Sequence, residues 1–305
     1  MKKRVGGSKL KLILLTVAVT LFAAFVIIPF FFSLFFDGAK LGNVALIPIE
    51  GAITGTGEKE LGALTVSSED IVSFIEDADK NPQVKVLLLE INSPGGSAVA
   101  SDEIASAVKK SNKPVVALIR EAGASGGYWV ASASDYVIAN RMSITGSIGV
   151  LSSYLEFSGL MEKYGVGYEQ LTAGEYKDMG APFKKLSEQE RKIMQNKLDM
   201  IHQYFIEGVA VNRGLEVSQV EALATGEFFL GVEALELGLV DALGDKNTAE
   251  EFVKKSYGLK KVDYILYQHQ PGFLESLSTV FSDFYFSIGE GIGSMFIRQH
   301  TGVWM

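Results

Sequence analysis

Apolar residues recur along the chain in three patterns, and each predicts a different element. The first is a continuous run: Leu12 to Phe36 is 25 residues without a charge, rich in Leu, Phe, Val and Ile. A helix of about 20 such residues crosses a ~30 Å hydrocarbon core. Lys2, Lys3, Arg4, Lys9 and Lys11 precede the run. Positive charge on that side places the N-terminus in the cytoplasm and everything after Asp37 outside it. The run is too long for a cleaved signal peptide and has no small-x-small site at its end. The expectation is a basic cytoplasmic segment (1–11) and a single-pass anchor in the cell membrane (12–36), in which Pro29 is tolerated as a kink.

The second pattern is the short apolar run bounded by turn residues. Val44 to Ile49, Val84 to Ile91, Pro114 to Ile119 and Tyr136 to Ala139 read as strands. Val84 to Ile91 is nearly continuous, as in a strand covered on both faces. Gly167 to Leu171 reads as a further strand, and Thr145 to Val150 as a turn into another. The third pattern is helical: Ile71, Phe74, Ile75 and Ala78 repeat at i, i+3, i+4, i+7 behind the capping sequence Ser67-Ser68-Glu69-Asp70. Helices are also expected at Val99 to Lys110, at Leu155 to Tyr164, and from the capping box Ser187-Glu188-Gln189-Glu190 to Asn212, with Gly214 just past the end. Glu58 to Ser67 and Thr172 to Asp178 are loops. Alternating strands and helices imply an α/β domain with a parallel sheet and right-handed crossovers.

Sites in such sheets lie at the carboxyl ends of strands. Two glycine-rich turns occupy such ends: Asn92-Ser93-Pro94-Gly95-Gly96-Ser97, and Gly123-Ala124-Ser125-Gly126-Gly127. Ser125 falls where a strand hands over to a helix, whose first amides point outward. A serine hydroxyl there, with amides beside it, suits attack on a carbonyl and stabilisation of the resulting oxyanion. The competing explanation is close packing of a helix on the sheet, which needs the same small residues. Gly95-Gly96 could supply a second oxyanion donor or serve only as a turn.

Composition narrows the chemistry. A net charge of −8 over 305 residues gives no basic stripe for nucleic acid. Absence of cysteine excludes a thiol nucleophile, a thiolate metal site and any disulfide. His202, His269 and His300 have no metal-ligand spacing, and His202 inside the long helix reads as a surface or packing residue. No metal or organic cofactor is implied.

In these turns and the segments after them the chain resembles the signal peptide peptidase A (protease IV) family, membrane-bound serine proteases of the Clp protease/crotonase-like fold group. The blocks that carry it are Ile91 to Ser97, Ala124 to Tyr128 with Ala131, Thr145 to Val150, Gly174-Glu175-Tyr176-Lys177, and Thr225-Gly226 through Ala234 to Asp241. The resemblance implies a repeated β-β-α domain with an N-terminal transmembrane helix. It makes Ser125 the nucleophile and Lys177 the general base of a Ser/Lys dyad. Ser147 then orients the lysine, and amides at Gly96 and Gly126 form the oxyanion hole. The resemblance further implies a ring or dome, as in single-length members, in which a neighbouring subunit gives the lysine; longer members carry the catalytic unit twice, so this chain is expected to form a ring of more subunits. A lysine acting as base must be neutral, so its pKa has to fall from about 10.4 towards ~7–8, chiefly by burial.

The implied protein is an extracytoplasmic Ser/Lys endopeptidase (37–270) that cuts apolar peptides such as released signal peptides, with misfolded membrane or secreted proteins as further substrates. The bilayer and other copies of the chain are its partners. A tail (271–305) is rich in Phe, Leu and Ile; it could lie on the membrane, between subunits or in the substrate groove, and Glu275, Asp283 and Glu290 argue against a second span. Two rivals stand beside this reading. Gly123 to Gly127 also satisfies G-x-S-x-G, which would make an α/β-hydrolase esterase using Ser125 and His269. A non-catalytic membrane scaffold on the same fold is the other.

Overall fold

A computed structural model of the chain describes residues 6–28, 41–57 and 64–269. The tail expected over 271–305, and the end of the expected anchor from Pro29 to Phe36, lie outside them. Leu41–Gln268 forms one compact unit. Helix α1 (Gly6–Phe22) belongs to the other unit and runs directly into a π-helical turn, Ala23–Ile27.

Within the compact unit the sequence's continuous apolar runs become a two-faced sheet. Its central strands are β1 (Val44–Glu50), β4 (Val86–Ser93) and β5 (Val115–Ala124). Successive side chains of a strand point to opposite faces. Leu87, Leu89 and Ile91 of β4, with Val115, Ala117 and Ile119 of β5, therefore enter one core. Val86, Leu88, Val116 and Leu118 enter the other. The first core is covered by α2 (Ser68–Lys80), α3 (Ala98–Lys110), α4 (Gly126–Ser132) and α6 (Glu188–Arg213); the second by α9 (Lys246–Tyr257). Between α6 and α9 lie the short helices α7 (Val217–Leu223) and α8 (Gly231–Glu236).

Sheet order is β10-β1-β4-β5-β6-β9, all parallel, with β6 at Tyr136–Ala139, β9 at Ala242–Leu243 and β10 at Tyr264–Leu266. The sheet forks at β5. Val116 to Ile119 pair with β6, whereas Ala122 to Ala124 pair with β7 (Ile144–Gly146), which pairs antiparallel with β8 (Phe228–Leu230). A separate pair, β2 (Ala52–Thr54) and β3 (Thr65–Ser67), lies beside the end of β4, where Ile53 bridges Gly96.

The caps appear as expected. Ser67 accepts from the amide of Asp70, Ser187 and Glu190 close a capping box on α6, and Gly214 ends α6 at φ +64°. Four expectations fail in detail. The end of the loop expected over Glu58 to Ser67 is strand β3, which pairs with β2. Gly167 to Leu171 forms no strand, the helix expected over Leu155 to Tyr164 shrinks to α5 (Ser158–Lys163), and the chain after Gly146 does not extend into a strand. The last three fall at or near a segment, 151–189, that contains no buried residue, so no described residue buries its apolar side chains.

Candidate active site

Ser125 joins β5 to α4 at φ +51°, ψ −123°. Positive φ is uncommon outside glycine and costs of order 1–3 kcal/mol. Tertiary bonds hold it there: the Ser125 amide donates to the Gly146 carbonyl at 2.8 Å, and its carbonyl accepts from the Trp129 amide at 2.9 Å. The hydroxyl caps no helix amide.

The other glycine turn lies directly against this elbow. A Cβ on Gly95, itself at φ +99°, would stand 2.7 Å from the Gly126 amide nitrogen and 2.9 Å from Ser125 Cβ. A Cβ on Gly96 would be 2.0 Å from the Ile53 carbonyl oxygen. That close approach lets Ile53 donate to the Gly95 carbonyl (2.9 Å) and accept from the Ser97 amide (2.8 Å). Because a trans peptide sets N–H opposite C=O, the Gly96 N–H points away from β2. By the same geometry the Gly126 N–H points out of the start of α4. Among the described residues neither amide has a hydrogen-bond acceptor. Two free donors and one uncapped hydroxyl thus meet at the carboxyl ends of β4 and β5, an arrangement able to hold an oxyanion on a carbon bonded to the serine.

Ser147 is close by. It follows Gly146, whose carbonyl receives the Ser125 amide; it too has positive φ (+50°), its amide donates to Glu227 O at 2.9 Å, and its hydroxyl to Gly226 O at 3.2 Å. Among the described residues no hydrogen bond joins Lys177 to this group. That lysine is exposed, in a turn closed by its own amide on Gly174 O at 3.2 Å, within the segment that has no buried residue. That turn adjoins an ion cluster at the start of α6: Lys184 contacts Asp178 at 2.8 Å and Glu190 at 2.7 Å. Bonds from Lys184 and from the Ser187 amide and hydroxyl hold the Glu190 carboxyl down to about 2, and the same carboxylates raise Lys184. His202, twelve residues along α6, meets Ile148 O at 3.3 Å, so about 18 Å of helix separates the cluster from the residue beside Ser147.

His202 is therefore a packing residue on Ile148. His269 belongs to the other unit; the edge strand β10 that precedes it in sequence is separated from β5 by β1 and β4. A cleft of about 590 Å³ runs between α3 and α6 over the Trp129 indole, walled by Val99, Ile201 and Tyr204. Trp129 is stacked on Phe205 with centroids 4.6 Å apart. The sequence reading does not single out Ile53 or the Gly226-Glu227 carbonyls. Each acts through backbone atoms, which leave no mark of their own in the sequence; Gly96, facing Ile53, is the nearest to a signal.

Comparison with known proteins agrees with this geometry. The family model for peptidase family S49 matches residues 107–260. A protein of Enterococcus faecium, provisionally named signal peptide peptidase SppA, is 34% identical over 245 residues, covering 79% of this chain and 71% of its own. Protease 4 of Haemophilus influenzae is 32% identical over 248 residues, 79% of this chain but 40% of its own length. The chloroplastic serine protease SPPA of Arabidopsis thaliana is 29% identical over 230 residues, 73% of this chain and 34% of its own. The chain belongs to peptidase family S49 and is a serine protease.

Proposed function

We propose that the chain is a membrane-anchored endopeptidase in which Ser125 is the nucleophile and Lys177 of a neighbouring copy the general base. The Ser125 oxygen bonds to the scissile carbonyl carbon as its proton passes to the neutral lysine. The Gly96 and Gly126 amides receive the oxyanion. The lysine then protonates the leaving amine, and water releases the acyl group by the same steps. Ser147 orients the incoming ammonium or amine. The observation that carries this is the Ser125 elbow at φ +51° between two amides that have no acceptor.

A base supplied in trans is supported by the lack, among the described residues, of any bond between Lys177 and Ser125, and by large side chains that no described residue buries. Leu151, Leu155 and Leu171 are 84, 73 and 102% exposed, as suits residues buried between subunits of a ring. A Clp protease/crotonase-like repeat is consistent with the forked parallel sheet, and an extracytoplasmic catalytic domain over 37–270 with the compact unit Leu41–Gln268. Among the described residues no single helix is long and apolar enough to cross a membrane. Support for an anchor comes from α1 and its π turn: Leu12 to Ile27 is about 24 Å of helix without a charge, with Leu12, Leu15, Val19, Phe22 and Phe25 all exposed. Apolar substrates, released signal peptides among them, fit the names of the relatives and the apolar cleft over Trp129.

The test is cleavage of a fluorogenic apolar peptide by the full chain in detergent micelles. Ser125→Ala and Lys177→Ala should each lower turnover by a factor of about 10⁴ or more without moving the melting temperature. Full turnover by Lys177→Ala refutes the dyad.

A further inference from the structure

The glycine turn and the serine elbow come from different strands, and the fold must hold their amides at one fixed separation. Ser101 stands where it can do so. It lies one turn into α3 and is fully buried. Its hydroxyl donates to the Ser97 carbonyl at 2.9 Å, one residue past Gly96. The same oxygen lies 2.2 Å from where a Cβ on Gly126 would be, and that position is 3.3 Å from the Gly96 nitrogen. The hydroxyl is thus bonded to one turn and packed on the α-carbon of the other. Ser97 in turn donates to Ile53 O, and Ile53 to Gly95 O, so the bond from Ser101 completes a frame around Gly96.

A structural role alone explains Ser101 poorly. The Ser97 carbonyl already accepts the Ser101 amide at 3.0 Å, so removing the hydroxyl leaves no orphaned acceptor. Alanine is also the better helix former. A hydroxyl at this point adds little to folding, yet among the described residues its oxygen is the nearest atom to the Gly126 Cβ position, at 2.2 Å.

We infer that Ser101 is a positioning residue for the oxyanion: it sets the spacing of the Gly96 and Gly126 amides. This rests on the Ser125 reading above, and the controls keep the two apart. Full chain in micelles is assayed as wild type, Ser125→Ala, Ser101→Ala, Gly126→Ala and the double variant Ser101→Gly with Gly126→Ala. Each is measured for kcat, KM, melting temperature and inhibition by a peptide aldehyde, whose carbon forms a tetrahedral adduct with the serine oxygen.

Ser101→Ala should lower kcat about tenfold, a fraction of the 10²–10³ lost when a whole donor is removed. KM and melting temperature should hold, and aldehyde affinity should fall in parallel with kcat. Gly126→Ala should lose kcat and aldehyde affinity because its Cβ meets the Ser101 oxygen, and Ser101→Gly in the double variant should recover at least tenfold of that loss. Wild-type kcat and aldehyde affinity in Ser101→Ala, or no recovery in the double variant, overturn the assignment while the Ser125 reading stands. Undiminished turnover by Ser125→Ala overturns both.

Discussion

The backbone at Ser125 gives a stability prediction with an unusual sign. At an ordinary strand or helix position Gly is worse than Ala by about 0.5–1 kcal/mol, because it has more freedom to lose. Ser125 is held at φ +51°, ψ −123°, by the Gly146 carbonyl on one side and the Trp129 amide on the other. Any residue with a Cβ stores of order 1–3 kcal/mol there, and glycine does not. Ser125→Ala keeps the strain; Ser125→Gly releases it and gives back part through the unfolded chain. The balance favours Gly by about 1 kcal/mol, or ~2–4 °C for a unit of this size. Both variants lack the hydroxyl, so loss of the nucleophile cancels in the comparison. Thermal melting of the two side by side is the assay. A glycine variant that melts at or below the alanine variant would mean that the elbow stores no more strain than the roughly 0.5–1 kcal/mol that glycine's extra freedom costs, and would refute the reasoning.

Other positions give predictions of different kinds. Gly96→Ala should lower turnover by more than about 10² and melting by several degrees, since its Cβ would lie 2.0 Å from the Ile53 carbonyl, which is backbone and cannot rotate away; activity assay and melting check both. The Glu190 carboxyl is held at about 2 by Lys184 and Ser187, below the roughly 4.3 of an unfolded glutamate, so its contribution is complete above ~4.3 and is lost as pH falls towards 2. Glu190→Gln should therefore flatten the fall in melting temperature over that window, and an unchanged acid profile would contradict the bonding. Leu155→Glu with Leu171→Glu should reduce the assembly's mass in light scattering and leave the melting of the unit nearly unchanged, because both side chains are exposed within one chain.

Strands β1, β4, β5 and β6 were legible in the sequence because burial on both faces makes continuous apolar runs, and α2 and α6 because their caps are spelled out in Ser67 and in Ser187 with Glu190. The fork in β5 was not. Arg120 and Glu121 end the apolar run, yet the strand continues to Ala124 through its pairing with β7, a long-range contact. Gly167 to Leu171 misled for the opposite reason: Val166, Tyr168 and Leu171 are apolar but exposed, and sequence does not distinguish an apolar side chain that enters the core from one that stays at the surface. β2 is three residues, too short to carry a pattern, although its Ile53 fixes the Gly96 turn. Of the site, the residue types at Ser125 and the two glycine turns could be read directly. The strained φ of Ser125 could not, since tertiary bonds impose it.

Whether the base comes from another copy is the most direct question to put to the molecule. Ser125→Ala and Lys177→Ala chains, each inactive alone, are mixed in equal amounts, dissociated and reassembled, and peptide cleavage is compared with wild type at the same total concentration. In a ring where each site takes its serine from one copy and its lysine from the next, half the serines and half the lysines are intact at random. About one quarter of wild-type turnover should return. Each chain would carry one defect of its own if the dyad formed within it, and a reassembled mixture that stayed inactive would contradict a shared site.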